Sequence, residues 1–578
     1  MRLSARALAG LVAFFPAAAA SQPPAWLELR SPHFRLVTDA SERAGRELLL
    51  ALEQIRSAFR GLAGPRHDSP LPVRVYLFAS GELYLRFQPS AAVRGFYQGG
   101  ADVNHIVLRA SGVETRRIAF HEYAHLVLNH SSARLPLWLE EGIAEFYSTL
   151  EFRSGNVIVG RPVTSHLSAL RALPWLDAET LTAIRRGSAV LDDATRAGIF
   201  YAQSWALVHM LNFSERYRTG LGRLAALLAD GEPAADAFQR AFGASLQDAL
   251  EDLRAYVKLD RWPATEVPFD PSGAAAVSVL PLAADELDST LLALELELGL
   301  WDASEQTLRR LARSRRGGAD VEAARAKLAM SRGDFASAGR HFEAAIAAGA
   351  REASVYFEYA MLLRDTGEDP ARAVQLLERA VELNPNHAEA HFLLGQHAYR
   401  HGRLEEAVAH FERAAQILPR QSSFWHALAL ACHKALRPES ALRAAKRALE
   451  AAATEQEAEM ARAALDLIRR PPAEAAASPP EVVTPRKWFP PQGDRRAEGV
   501  LEEIVCQGRQ ALLRVRSREG SLLLRVENPD RVVLRNSSAL SFEFSCGPQQ
   551  GRPVAVEYLA SAASAGESHG TLTAIELR

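Results

Sequence analysis

Hydrophobic and polar positions divide the chain into stretches with different periods. Between residues 26 and 262 the pattern is mixed. His33–Thr38 and Leu71–Phe78 carry the two-residue alternation of strands, and Ala44–Arg60 between them carries the period of an amphipathic helix. Ile106–Leu108 predicts a further short strand. Two helices follow, one rich in apolar residues around His121 and one beginning near Pro136, then a hairpin around Ser154-Gly-Asn156 and a mostly helical stretch to about Lys258. Residues 263–284 are rich in Pro and Ala and predict a linker, as do residues 471–491. Beyond the second linker, from 492 to 578, short alternating runs return: Leu512–Arg516, Leu522–Val526, Val532–Arg535, Leu540–Phe544 and Val554–Tyr558. Turn residues separate them, which predicts a small antiparallel barrel or sandwich with no catalytic constellation.

From 285 to 470 the helical pattern repeats. Ala373, Ala407 and Ala441 are spaced thirty-four residues apart, as are Pro385 and Pro419. Ala380, Ala414 and Ala448 recur in step, and small residues hold the close-packing positions Gly395 and Ala429. That period is the tetratricopeptide repeat, in about five copies. Such repeats stack into a superhelix with a concave face. The face offers a surface for a peptide or protein partner; a plain spacer is the alternative.

Length and composition set outer limits. At 578 residues the chain exceeds one core and calls for several domains. A net charge of −2 gives no reason to expect a nucleic-acid partner. Arg2 and Arg6, the apolar stretch Ala7–Ala20 and the small residues Ala18-Ala19-Ala20 before Ser21 have the form of a cleaved signal peptide over residues 1–20. No later stretch approaches a membrane span, so the mature chain is expected to be secreted or periplasmic. In an oxidising compartment Cys506 and Cys546 are expected to pair, with two buried thiols as the alternative, while Cys432 reads as a buried free thiol.

The chemistry is concentrated in His121-Glu-Tyr-Ala-His125. Positions i and i+4 share a helix face, so both imidazoles can aim at one point. Glu122 lies beside that point, where it can take a proton from a water. A catalytic zinc site uses three protein ligands and an open position, and a carboxylate from the following helix completes such a set. Glu140 and Glu141 point about 100° apart on that helix, so one of them is expected to reach the metal.

This segment, with Trp138-Leu-Glu-Glu-Gly-Ile-Ala-Glu-Phe146, resembles the gluzincin peptidases of the MA clan. Trp138, Leu139, Glu141, Gly142, Ala144 and Phe146 match the W-L-x-E-G-x-A-x-F/Y helix of that family. The resemblance implies one zinc ion per chain, held by His121, His125 and Glu141, with Glu122 as general base. It implies that Glu145, one turn after Glu141, orients a ligand histidine; a solvated helix charge is the other reading. Phe200–Leu211 is similar to the gluzincin helix that opens with a catalytic tyrosine, which makes Tyr201 a donor to the oxyanion, or else an ordinary core tyrosine. His209 reads as a packing or supporting residue. The resemblance also implies an edge strand just before the metal helix that pairs with the substrate backbone. Gly100–Asn104 resembles the aminopeptidase Gly-Ala-Met-Glu-Asn loop, but Val103 replaces the glutamate that would bind a free amine, which argues against strict aminopeptidase activity.

The expected architecture is therefore multidomain: an α+β gluzincin-like peptidase domain (26–262), an all-α tetratricopeptide superhelix (285–470) and a small all-β C-terminal domain (492–578). The expected function is an exported zinc-dependent peptidase acting on a peptide or protein substrate. One rival is a repeat scaffold with a silent zinc domain. Another keeps the zinc chemistry but takes a non-peptide amide, such as one in a cell-wall component.

Overall fold

Period-two runs near the N-terminus become strands of one mixed sheet. They are β1 (Leu27–Arg30), β2 (Phe34–Thr38), β3 (Val73–Phe78), β4 (Gly95–Gln98) and β5 (Asn104–Arg109), with helices α1 (Glu42–Ala63) and α2 (Gly81–Leu85) between them. Across the sheet the order is β4-β5-β3-β2-β1, then a strand from far downstream. β2, β3 and β5 run parallel, while β4 is antiparallel to β5 and forms one edge. The strand predicted at Ile106–Leu108 is thus interior, and Gly95–Gln98 takes the edge position. The computed structural model describes residues 26–63, 68–89, 93–130, 135–153, 155–229, 232–269, 276–314, 318–469, 495–507, 510–517, 520–526, 532–535, 547–560 and 568–577. Outside them lie the expected leader and the expected 471–491 linker, the run at Leu540–Phe544, Cys546 and the side chain of Cys506, and with them the expected Cys506–Cys546 pairing.

Alternation along β3 divides the core. Val73, Val75 and Leu77 face α1 and the helix α3 (Val113–Asn129), where Leu52, Ile55, Phe120, Tyr123 and Val127 are buried. Tyr76 and Phe78 face the opposite side. Helix α4 (Leu137–Tyr147) follows α3, with Pro136 at its N-cap. The expected hairpin is β6 (Glu151–Arg153) and β7 (Asn156–Val159), turning through Gly155 at φ +83°. A helical lobe comes next: α5 (Thr164–Ala172), α6 (Ala178–Ala183), α7 (Ala194–Phe213), α8 (Leu221–Ala229), α9 (Ala234–Phe242) and α10 (Leu246–Tyr256).

Residues 263–284 are more than a linker. β8 (Thr265–Pro268) adds to the hairpin beside β7, and β9 (Ser278–Pro281) pairs antiparallel with β1 to complete the main sheet. Both are edge strands that end in proline, which an edge tolerates, and their Pro- and Ala-rich setting conceals the alternation.

Among the described residues eleven helices follow: α11 (Ala284–Glu297), α12 (Trp301–Ser314), α13 (Ala319–Ser331), α14 (Phe335–Ala347), α15 (Ala353–Thr366), α16 (Pro370–Leu383), α17 (Ala388–Arg400), α18 (Leu404–Ile417), α19 (Ser422–Lys434), α20 (Pro438–Glu450) and α21 (Glu455–Arg469). They form five antiparallel pairs and a closing helix. Gly395 is small for a reason: a Cβ there would stand 2.7 Å from the Phe411 ring. Cys432 is a buried free thiol.

The first repeat helix does a second job. Leu291 and Leu294 of α11 cover Val37, Tyr76, Phe78 and Val107 on the outer face of the main sheet. Burying each leucine contributes on the order of 2 kcal/mol. The repeats are therefore fused to the N-terminal unit through a shared core.

The C-terminal strands are β10 (Arg495–Gln507), β11 (Gln510–Ser517), β12 (Gly520–Val526), β13 (Val533–Arg535), β14 (Gly547–Ala560) and β15 (Gly570–Leu577). Their order is β12-β11-β10-β14-β15-β13, and β12 also pairs with β15, closing a small barrel. Leu501, Leu513, Leu524, Val556 and Ile575 fill its interior.

Candidate metal centre

Helix α3 runs beneath the β4 edge and presents His121 and His125 on one face. Helix α4 comes close behind because Gly142 lets it lie against α7: a Cβ on Gly142 would stand 2.4 Å from the Ser204 carbonyl oxygen. That approach sets Glu141, one residue earlier, opposite the histidines.

The three side chains converge. His121 Nε2 and His125 Nε2 are 3.0 Å apart, and Glu141 Oε2 is 3.4 Å from the first and 3.3 Å from the second. Among the described residues this is the one group of three or more His, Cys, Asp or Glu side chains with metal-binding spacing. Ligand atoms about 2.0–2.1 Å from a tetrahedral zinc stand roughly 3.3 Å from one another, so the set fits that ion. Its chemistry agrees, since two imidazole nitrogens and a carboxylate oxygen directed at one point are a donor set that zinc accepts. Burial works against a charged His121, yet the carboxylates of Glu141 and Glu145 raise its pKa well above the usual value. Burial also opposes ionisation of Glu141, but the charges and hydrogen bonds of His125 and His121 hold its carboxyl far below the carboxylate range. The site thus favours a negative carboxylate facing positive charge.

Glu145 is held from three directions. Its Oε1 lies 3.3 Å from His121 Nδ1, and its Oε2 accepts from Arg117 Nη1 at 2.8 Å and pairs with His166 Nε2 at 3.0 Å. A carboxylate on that side of a ligand imidazole can fix its tautomer and leave Nε2 for a metal; here the 3.3 Å contact is an ion pair and falls short of the geometry of a hydrogen bond. Arg117 is one turn before His121 on α3, so helical spacing could have suggested it; His166, on α5, carries no such signal.

Glu122 is buried, and burial pushes its carboxyl above the usual range, offset in part by His121, His125 and a backbone hydrogen bond from Tyr97. A raised carboxyl beside the ligand set suits a proton-accepting role. Tyr97 belongs to β4, so the edge strand's main chain reaches the residue expected to move the proton.

Tyr201 lines the same cavity as His121, Glu122 and Glu141. It lies in the second turn of α7, which begins at Ala194 and does not open with the tyrosine. Burial, then the charges of Glu141 and Glu145, raises its phenol pKa, keeping it a neutral donor. His209 is away from the cavity. Its Nδ1 meets the Tyr256 hydroxyl at 2.9 Å and its Nε2 lies 3.0 Å from the Gly160 carbonyl oxygen, a supporting role in the helical lobe.

Two arginines at the site have no signature in the sequence. Arg186 Nη2 lies 3.3 Å from Glu140 Oε2 and 4.0 Å from Glu141 Oε1. Arg420, from the turn between α18 and α19, lies 2.7 Å from Glu140 Oε1. Glu140 therefore binds arginines, leaving Glu141 to the histidines. The loop expected to resemble an amine-binding segment meets the repeats instead: Asp102 accepts from Ser354 N at 2.8 Å and Asn384 Nδ2 at 2.7 Å.

Residues 362–423 match the tetratricopeptide repeat family. No curated protein matches the chain. Among solved structures it is similar to a MamA protein, with 18% identity over 29% of this chain and 91% of that one and a TM-score of 0.24. It is similar to YrrB, described as a TPR protein with an unusual peptide-binding site, with 20% identity over 30% and 90% of the two chains and a TM-score of 0.26. Pseudomonas aeruginosa pilF gives 19% identity over 32% and 88%, with a TM-score of 0.27. The family match and the helix pairs from α11 to α21 together identify the middle of the chain as a tetratricopeptide repeat array.

Proposed function

We propose that the chain is an exported zinc-dependent peptidase. The convergence of His121 Nε2, His125 Nε2 and Glu141 Oε2 within 3.0–3.4 Å, beside a buried Glu122, carries this reading. When bound, zinc would lower the pKa of a water and polarise a carbonyl oxygen. Glu122 accepts the proton of the attacking water and returns it to the leaving amine, so water and an amide become an acid and an amine. Tyr201 donates a hydrogen bond to the oxygen that gains charge. Glu145 keeps His121 in the tautomer a metal needs, and the β4 edge offers main-chain groups to an extended substrate. Zinc content, together with hydrolysis of a mixed peptide library by wild type and Glu122→Gln, tests the assignment. Loss of hydrolysis with zinc retained supports it; a Glu122→Gln variant as active as wild type would sink it.

The repeat-family match favours a second reading, a protein-binding scaffold whose metal centre is catalytically silent. Zinc bound at one per chain with no cleavage of any library member would favour that reading.

A further inference from the structure

The candidate metal centre opens into a cavity of about 2940 Å³ that the N-terminal unit and the repeats line together, with Arg496 and Glu576 contributed by the C-terminal barrel. Pockets for small ligands measure roughly 300–1,000 Å³, so this space is built for something longer. One wall carries Tyr97 of β4, with its backbone hydrogen bond to Glu122. The facing wall is the inner surface of α13, α15 and α17, with Lys327, Glu358, Glu389 and Phe392 among its residues.

The repeats are fastened across the cavity at both ends. At one end α11 covers the outer face of the main sheet. At the other, Asn384 holds Asp102, Asn386 Nδ2 donates to the Pro70 carbonyl oxygen at 2.6 Å, and Arg420 holds Glu140. The concave face thus fronts the same cavity as β4. An extended chain can run along both.

The lining is also charged beyond the chain average. With Glu122 and Glu141 set aside for the metal centre, twelve Asp and Glu residues line the cavity against eight Lys and Arg, whereas the whole sequence is near balance at 69 acidic and 67 basic residues. On the inner repeat wall Lys327 lies 2.6 Å from Glu358, and Glu297 and Asp102 add further negative charge around it. A cation-bearing guest matches this field.

We propose that the cavity is the path of an extended polypeptide segment carrying basic side chains, held between the β4 edge and the inner repeat face. The repeats are then one wall of the substrate site and not a separate recruiting arm. The substrate class rests on the peptidase reading; binding in the cavity does not.

The test uses the full-length Glu122→Gln protein loaded with zinc and fluorescently labelled unstructured peptides of about twenty residues, long enough to span the cavity when extended. One peptide carries Lys and Arg at regular intervals, and the other carries Asp and Glu in the same places. Fluorescence anisotropy should show the basic peptide binding at least about tenfold more tightly, with the preference falling as salt is added. A folded basic domain should fail to displace it. Phe392→Ala and Glu389→Gln, two separate changes on the inner wall, should each weaken it about threefold or more while circular dichroism stays unchanged. Equal binding of both peptides, displacement by the folded domain, or indifference to both wall variants overturns the proposal. If the basic peptide binds as described and wild type never cleaves it, the cavity assignment holds and the peptidase reading fails. Cleavage with no dependence on the inner wall keeps the peptidase reading and overturns the cavity assignment.

Discussion

Arg420 reaches out of a turn between two repeat helices and places its guanidinium 2.7 Å from the carboxylate of Glu140, the residue before Glu141. Both side chains are mostly buried, at 18% and 10% exposure. Arg186 holds the other oxygen of the same carboxylate, so the pair belongs to a small network. A double-mutant cycle with Arg420→Ala and Glu140→Gln should give a coupling of about 1–3 kcal/mol in chemical unfolding, between the values for exposed and fully buried pairs. A coupling near zero would make the contact incidental.

Removing the carboxylate behind His121 should loosen the metal without unfolding the site. Glu145→Gln keeps the size of the side chain but loses the charge that Arg117 and His166 share. Zinc affinity, measured by competition with a chelator, should fall about 10- to 100-fold. Unchanged affinity would reduce Glu145 to a packing role.

Tyr201 separates the two readings of its helix. Tyr201→Phe removes the hydroxyl and keeps the ring. If that hydroxyl donates to the developing oxyanion, kcat for a cleaved peptide should drop about 100- to 1,000-fold with little change in KM. Full activity would return the residue to the core.

Acid should destabilise the helical lobe through His209. Burial lowers its pKa from 6.5 to about 4. Between those values the unfolded chain binds a proton that the folded chain refuses, so stability is complete above about pH 6.5 and declines as pH falls toward 4. The full effect of this one group is on the order of 3 kcal/mol. Urea unfolding at pH 7 and pH 4.5 should show a larger loss for wild type than for His209→Gln, whose side chain does not titrate. Equal losses would remove His209 from the account. His391, also lowered to about 4, keeps a residual slope in both proteins.

Legibility in the sequence follows the range of the interactions. His121 and His125 share a face by helical spacing alone, and Ala373, Ala407 and Ala441 mark a repeat by their interval. Those are local facts. Glu141 needs a family likeness to be preferred to Glu140; the structure adds the physical reason, since Glu140 is occupied by Arg186 and Arg420. Neither arginine has a signal in its own neighbourhood, because each reaches the site through tertiary packing. β9 is hidden for a related reason: a four-residue edge strand ending in Pro281 becomes a strand by pairing with β1, more than 200 residues earlier. The sheet edge lies one strand earlier than expected, because Ile106–Leu108 is the more apolar run and apolar runs mark interior strands.

The cover that α11 lays over Tyr76 and Phe78 bears on how such a chain can be divided or recombined. Beads on a string can be shuffled among genes, because each bead owns its core. In this chain the boundary runs through a core, so a cut before Ala284 would leave an aromatic sheet face wet and a leucine-lined helix without its seat. The smallest heritable unit that keeps both surfaces dry is the N-terminal unit plus its first repeat. Shuffling the chain at the boundary its composition advertises would break it.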